Sequence, residues 1–250
     1  LFFFKQKTAY DIPLRLVGSD MCIRDRGNEV VVSYKWHDLP PGSGLLDLEL
    51  GRESELTHYD WITDTTVHDG SAWAYMKNSK YKTTTDLVHY LIDNVSKNGY
   101  MLLNIGPKPD GTIPEEDKNL LEGIGNWLDV NGEAIFETET WDQYGEGPTK
   151  MNEAGPFSDN RAKLIYTAKD FRFTTKDNFL YATALGWPSK DFTIESIYKL
   201  FDNEIERVEL LGSTDKVEWK HTRDGLHITR PDNKPCEHAY SFKITRKEYL

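Results

Sequence analysis

The spacing of the apolar residues changes character once along this 250-residue chain, near residue 137, and that change restricts the fold more than any other feature. Before it, apolar runs alternate with amphipathic stretches. Residues 29–34 (EVVVSY) form a β-branched run suited to a strand buried on both faces, and 45–50 (LLDLEL) form a short strand ending at Gly51. LPPGSG (39–44), between them, is a loop. Residues 51–83 are polar and aromatic with little periodicity, and connections of that length are usually functional. A helix follows, capped by Thr84 or Thr85, with Leu87, Val88, Leu91, Ile92 and Val95 on one face and Asn98-Gly99 at its end, Gly99 suiting a left-handed C′ position. Residues 100–105 (YMLLNI) are another apolar strand. Thr112 and Glu115 have the spacing of a capping box, Pro114 suits the first turn, and Leu120, Leu121, Ile124, Trp127 and Leu128 make a stripe that closes at Gly132. Strand–helix–strand–helix order with continuous apolar strands predicts an α/β layer on a parallel sheet.

Beyond residue 137 the helical spacing disappears. Short alternating runs take over at 163–168, 171–174, 179–185, 207–212, 216–220, 226–230 and 239–246, with turn signals such as Lys176-Asp177-Asn178 and Asp224-Gly225 between them. This predicts an antiparallel β-sandwich. The Gly- and Pro-bearing stretch 141–156 is the expected boundary, giving 27–140 to the α/β part and 141–250 to the sandwich. Residues 1–26 stand apart. Their apolar start precedes the basic residues, the reverse of a signal peptide, and the strings KQKTAYDI and SDMCIRDR resemble translated sequencing-adapter read-through. That segment is expected to be non-native.

Forty-one acids against 30 lysines and arginines give a net charge of −11, which argues against nucleic acid or an anionic membrane as the main partner. No apolar run approaches the roughly 18 residues of a membrane-spanning helix. Two cysteines, Cys22 and Cys236, exclude a disulfide-stapled mini-domain. P-loop, G-x-G-x-x-G, G-x-S-x-G and H-E-x-x-H motifs are missing, and the seven histidines show no metal-ligand spacing, so neither a metal nor an organic cofactor is expected. His89, inside the first amphipathic stretch, reads as structural or solvent-facing.

What remains is a set of carboxylates among aromatics between Asp47 and Tyr75. Indoles pack on the C–H face of a sugar while charged groups bind its hydroxyl rim. Glycosidic hydrolysis uses two carboxyl groups flanking the anomeric carbon, one of them a proton donor. Glu49, at the end of a predicted strand, is placed where a barrel projects its catalytic groups; the competing reading is a solvated strand-end glutamate.

The blocks YKW (34–36), DLELG (47–51), DWITDTT (60–66) and AWAY (72–75) resemble the α-L-fucosidases of glycoside hydrolase family 29, as does YMLLNIGPKPDGTIPEEDKNLLEGIGNWLDVNGEAIFET (100–138). The tail beyond 138 resembles the family's C-terminal sandwich only in kind. The resemblance implies a partial (β/α)8-like barrel, its C-terminal portion, followed by an antiparallel β-sandwich. It implies a retaining enzyme that removes terminal α-L-fucose from glycans, with a nucleophilic aspartate upstream of Glu29 and so missing here. Glu49 would be the acid/base residue, with Glu53 its nearest rival. Lys35 falls where many members have a basic residue reaching the sugar or the acid. Trp61 matches the tryptophan of W-x-T-D-T-S-I, with Thr66-Val67 replacing Ser-Ile, and would either shape the pocket or be buried core. Trp73 matches the aromatic of S-W-G-Y, with Ala72 and Ala74 replacing serine and glycine. Asn104 and Gly106 would serve strand-end geometry. The family implies a fucosylated glycan as partner, and a secreted, periplasmic or lysosomal location, with a signal peptide preceding this segment. The fragment alone is expected to be inactive. The competing expectations are a non-catalytic carbohydrate-binding protein on a decayed barrel, and a structural sandwich attached to an unrelated α/β domain.

Overall fold

The computed structural model describes residues 31–35, 39–40, 43–70, 72–160 and 163–247. The 1–26 segment, Cys22, the start of the 29–34 run, Trp36 and part of the 39–44 loop lie outside them.

Four short strands, β1 (Ser33–Lys35), β2 (Leu45–Asp47), β3 (Trp61–Thr66) and β4 (Gly99–Asn104), pair in parallel in that order. β2 is shorter than the 45–50 run predicts. Its backbone still follows β3 beyond Asp47, because the amides of Leu48 and Leu50 donate to the carbonyls of Ile62 (2.8 Å) and Asp64 (2.9 Å). Side chains therefore keep alternating. Leu46, Leu48 and Leu50 are buried on one face, and Asp47 and Glu49 take the other. On β3 the fully buried Trp61, Thr63 and Thr65 alternate with Ile62 and Asp64.

Helix α1 (Thr84–Ser96) leads from β3 to β4, and α2 (Glu115–Asn131) follows β4. Two sequence expectations shift at their ends. The cap of α1 is Thr83, whose hydroxyl accepts from the Asp86 amide while the Asp86 carboxylate accepts from the Thr83 amide. The left-handed residue after α1 is Asn98 (φ 72°), so Gly99 is not the cap. Gly99 is needed for a different reason: a Cβ there would lie 2.4 Å from the Trp61 ring. The capping box at Thr112 does not form. Its hydroxyl donates to Asp110 Oδ1 (2.7 Å), and Pro114 takes the N-cap position of α2 with no side-chain capping bond.

β5 (Glu139–Glu146), β6 (Phe171–Lys176), β7 (Phe179–Ala184), β9 (Ile205–Leu210) and β12 (Tyr240–Arg246) form an antiparallel sheet in the order β5-β6-β7-β12-β9. β8 (Phe192–Ile194), β10 (Trp219–Thr222) and β11 (Gly225–Ile228) form a second, in the order β10-β11-β8. Phe171, Phe173, Phe242 and Ile244 from the first share one core with Ile194, Leu226 and Ile228 from the second, which makes a sandwich. The expected turns are present, with Asp177 (φ 53°) between β6 and β7 and Gly225 (φ 135°) at the start of β11. Residues 163–168, expected as a strand, are irregular. β5 starts at 139, two residues ahead of the expected boundary.

The two parts meet through buried charge. Asp93 of α1, fully buried, pairs with Lys97 (2.9 Å), with Arg172 of β6 (2.6 Å) and with Arg52 (3.5 Å). Burial opposes ionisation of Asp93, but Lys97, Arg172 and Arg52 outweigh it and hold the carboxyl well below the usual carboxylate range. The Trp127 indole donates to the Ala239 carbonyl (2.9 Å), joining α2 to the entry of β12. His89 is buried in α1, and its Nε2 donates to the His238 carbonyl (3.0 Å), which is a structural use.

Candidate active site

Parallel register brings one cation and three carboxylates together where β1, β2 and β3 end. Lys35 pairs with Asp47 across β1 and β2, and β2 with β3 in turn sets Asp64 on the same face. Lys35 Nζ donates to Glu49 Oε2 (2.8 Å) and Asp64 Oδ2 (3.3 Å) and lies 3.6 Å from Asp47 Oδ2. Lys35 retains 37% of its side-chain exposure and Glu49 25%, so the cluster opens to solvent on one side. Burial works against the ammonium ion, but Glu49, Asp47 and Asp64 outweigh it and push Lys35 up to about 12. Asp47 is pushed up too, and for a carboxyl group that disfavours the charge. Burial, reinforced by the Asp64 carboxylate beside it, raises its carboxyl to about 6. One oxygen of Asp47 and one of Asp64 are buried without a hydrogen-bond partner.

Glu49 is held at this position by an unusual backbone. Leu50 adopts φ 47°, and the Gly51 amide donates back to the Leu48 carbonyl (3.1 Å). The chain turns sharply just past Glu49, and its carboxylate is left facing Lys35. A carboxyl group beside an ammonium ion and two further carboxylates, at the rim of a sheet, can exchange a proton with a ligand held above it.

Glu53 is occupied elsewhere. Its Oε1 accepts from the Tyr59 hydroxyl (3.0 Å) and its carbonyl from Lys97 Nζ (3.1 Å). Trp61, with pocket lining and buried core both open from the sequence, is not brought to the cluster. It starts β3, faces away from Asp64, is 0% exposed, and donates its indole N–H to the Lys97 carbonyl (3.2 Å). A tryptophan at the first position of a six-residue strand, with the phase opposite to the carboxylates, belongs to the layer between sheet and helix.

Trp73 lies in the irregular segment after β3 and is partly exposed. Two bonds hook this segment to the same rim: Thr66 Oγ1 donates to the Ala72 carbonyl (2.9 Å), and Asn104 Nδ2 to the Trp73 carbonyl (2.8 Å). Gly106 completes the seat, since a Cβ there would come within 2.9 Å of the Tyr75 amide. Asn104 and Gly106 thus serve the strand-end geometry that their position implied. Asp47 and Asp64 were missed as members of the site. The alternation in Asp47-Leu48-Glu49 already put the first two carboxylates on one face, and only the β2–β3 register adds Asp64. Among the described residues no group of three or more His, Cys, Asp or Glu side chains is arranged to hold a metal ion.

The family model described as Alpha-L-fucosidase matches residues 15–133, beginning inside the 1–26 segment, and that of the Alpha-L-fucosidase C-terminal domain matches residues 163–245. The plasma α-L-fucosidase of Pongo abelii is 31% identical over 198 residues, covering 76% of this chain and 38% of that protein. The tissue α-L-fucosidase of Rattus norvegicus is 29% identical over 203 residues, covering 78% and 39%. The crystal structure of the Thermotoga maritima α-fucosidase superposes with a TM-score of 0.63 at 26% identity, over 86% of this chain and 45% of that one. The chain spans about two-fifths of the length of the curated relatives it matches. With two successive family domains matched in order, and a solved member superposing across both, the chain belongs to the α-L-fucosidase family.

Proposed function

We propose that this chain is the rear part of the barrel plus the sandwich of a retaining α-L-fucosidase that removes terminal α-L-fucose from glycans. The observation that carries this reading is the placement of Glu49, 2.8 Å from Lys35 at the rim where three parallel strands end. In this mechanism an aspartate upstream of Glu29 attacks the anomeric carbon and expels the aglycone. Glu49 protonates the departing oxygen, then takes a proton from the water that releases fucose. Lys35 holds the Glu49 carboxylate and contacts ligand hydroxyls, and Trp73 packs on the apolar side of the sugar. Trp61 acts only as core support. The four-stranded sheet with α1 and α2 is the closing part of a (β/α)8-like barrel, continued by strands on the free edge of β1.

The relatives named plasma and tissue α-L-fucosidases support a secreted or lysosomal setting, and solved fucosidases in complex with fucose and with a fucosylated ligand support a fucosylated glycan as substrate. No helix among the described residues is long and apolar enough to cross a membrane.

Glu49→Gln tests the assignment in the enzyme carrying the upstream barrel. Hydrolysis of fucosides with poor leaving groups should fall by roughly 10²–10⁴-fold, the usual range for a lost acid/base group. Activated aryl fucosides should be affected far less in the first step. Equal loss on both substrates removes Glu49 from the role. The 250-residue chain alone should not turn over an aryl α-L-fucoside, and turnover abolished by Glu49→Gln would overturn that expectation.

A further inference from the structure

The turn that presents Glu49 does not hold itself. Leu50 sits at φ 47°, a left-handed conformation that residues with a side chain disfavour. Neighbouring structure must keep it there, and the segment 155–159, at the entry to the sandwich, runs alongside it.

Five bonds join the two stretches. The Phe157 amide donates to the Glu49 carbonyl (2.7 Å), the Asp159 amide to the Leu50 carbonyl (3.0 Å), and the Gly155 amide to the Arg52 carbonyl (2.8 Å). In the reverse direction the Arg52 amide donates to Ser158 Oγ (3.1 Å) and Arg52 Nε to Asp159 Oδ1 (3.1 Å). The backbones approach so closely that a Cβ on Gly51 would lie 2.1 Å from the Gly155 carbonyl oxygen. Ser158 and Arg52 are 3% and 5% exposed, so these bonds are shielded from water. Arg52 also reaches Asp93, which is held by Arg172 of β6, so the clamp is tied to the sandwich sheet itself.

We infer that residues 155–159 are a positioning clamp, by which the C-terminal domain fixes the backbone from Glu49 to Arg52 and thereby aims the Glu49 carboxylate at Lys35. The role assigned to Glu49 in catalysis rests on the functional reading above; the clamp itself does not. Ser158 and the Phe157 amide are positioning groups and touch no reacting atom.

The test uses the 250-residue chain and nuclear magnetic resonance, with no turnover needed. In the wild type the amides of Phe157 and Asp159 should exchange with solvent as slowly as those of Leu48 and Leu50. Exchange at the rate of an open loop overturns the clamp without any variant. In Gly51→Ala, which wedges the two backbones apart, the resonance of the Glu49 side-chain carboxyl carbon should move from its wild-type position at a fixed pH, with the amide spectrum of β6, β7 and β12 unchanged. An unmoved Glu49 carboxyl resonance in a folded Gly51→Ala chain also overturns it. With the upstream barrel present, Gly51→Ala should lower kcat on poor leaving groups by about tenfold and leave KM unchanged. A change in KM alone counts against positioning. If Glu49→Gln shows no dependence on leaving group while the exchange and carboxyl-resonance results hold, the catalytic reading fails and the clamp stands.

Discussion

Asp47 carries the clearest electrostatic cost at the single-residue scale. Its carboxyl is raised to about 6 by burial and by Asp64. A carboxyl raised on folding binds more protons in the native state than in the unfolded one between about pH 4 and pH 6, so stability falls as pH rises through that window. The penalty is complete above it. Asp47→Asn should therefore stabilise the fold at pH 7.5 by about 1 kcal/mol, with the gain shrinking as pH falls towards 4. Thermal melts across that range check it, and a gain independent of pH would assign the effect to something other than ionisation. Lys35 has the opposite sign. Raised to about 12 by its three carboxylates, it remains cationic throughout the working range and holds its place between Glu49 and Asp64.

At the scale of elements, β3 and β4 are locked together by one large ring against one missing side chain. Gly99→Ala would push a methyl group into the Trp61 ring, and overpacking of this kind costs about 1–3 kcal/mol. Urea denaturation should show that loss, and wild-type stability in Gly99→Ala would mean that Trp61 has room to move. The elements also show what a sequence discloses. Helix α1, its apolar face, β4 and the β6–β7 and β10–β11 hairpins were legible because each has its own periodicity and its own turn residues. β5 was not, because Glu139–Glu146 has no alternation: the ladder with β6 shifts register between Thr140 and Gly145. Residues 163–168 alternate and yet form no strand, because Thr167 is tied into a local turn, its amide and hydroxyl both donating to Asp170 Oδ2 (2.7 and 2.8 Å). Glu49 and Lys35 could be picked out from local pattern and resemblance. Asp64 and the 155–159 segment could not, since they come to the site through strand register and through a contact spanning about a hundred residues of chain.

For the whole molecule, the junction between sheet and sandwich depends on Asp93. Three cations, Lys97, Arg172 and Arg52, surround one buried carboxylate. Removing its charge leaves Lys97 and Arg172 without a carboxylate and Arg52 with Asp159 alone, and breaking a buried pair typically costs about 3–5 kcal/mol. Asp93→Asn should lower stability by that order at pH 7. Because the native carboxyl is held below its usual range, the stabilisation is present above the ordinary carboxylate pKa near 4 and is lost as pH falls further. The gap between wild type and Asp93→Asn should therefore close in acid, and a gap that persists there would point to lost packing instead. The same junction ties Arg52, and through it the Glu49 turn, to β6, so domain order and site geometry share one set of contacts.

The proton exchange proposed for Glu49 in retaining fucoside hydrolysis is tested most directly by azide rescue. In the enzyme carrying the upstream barrel, Glu49→Gly should be slow on an activated aryl α-L-fucoside and should speed up when azide is added. The product should be α-L-fucosyl azide, because azide then enters from the face that water normally uses. A β-configured azide would instead make Glu49 the nucleophile, and the absence of any rescue or fucosyl azide would contradict the account.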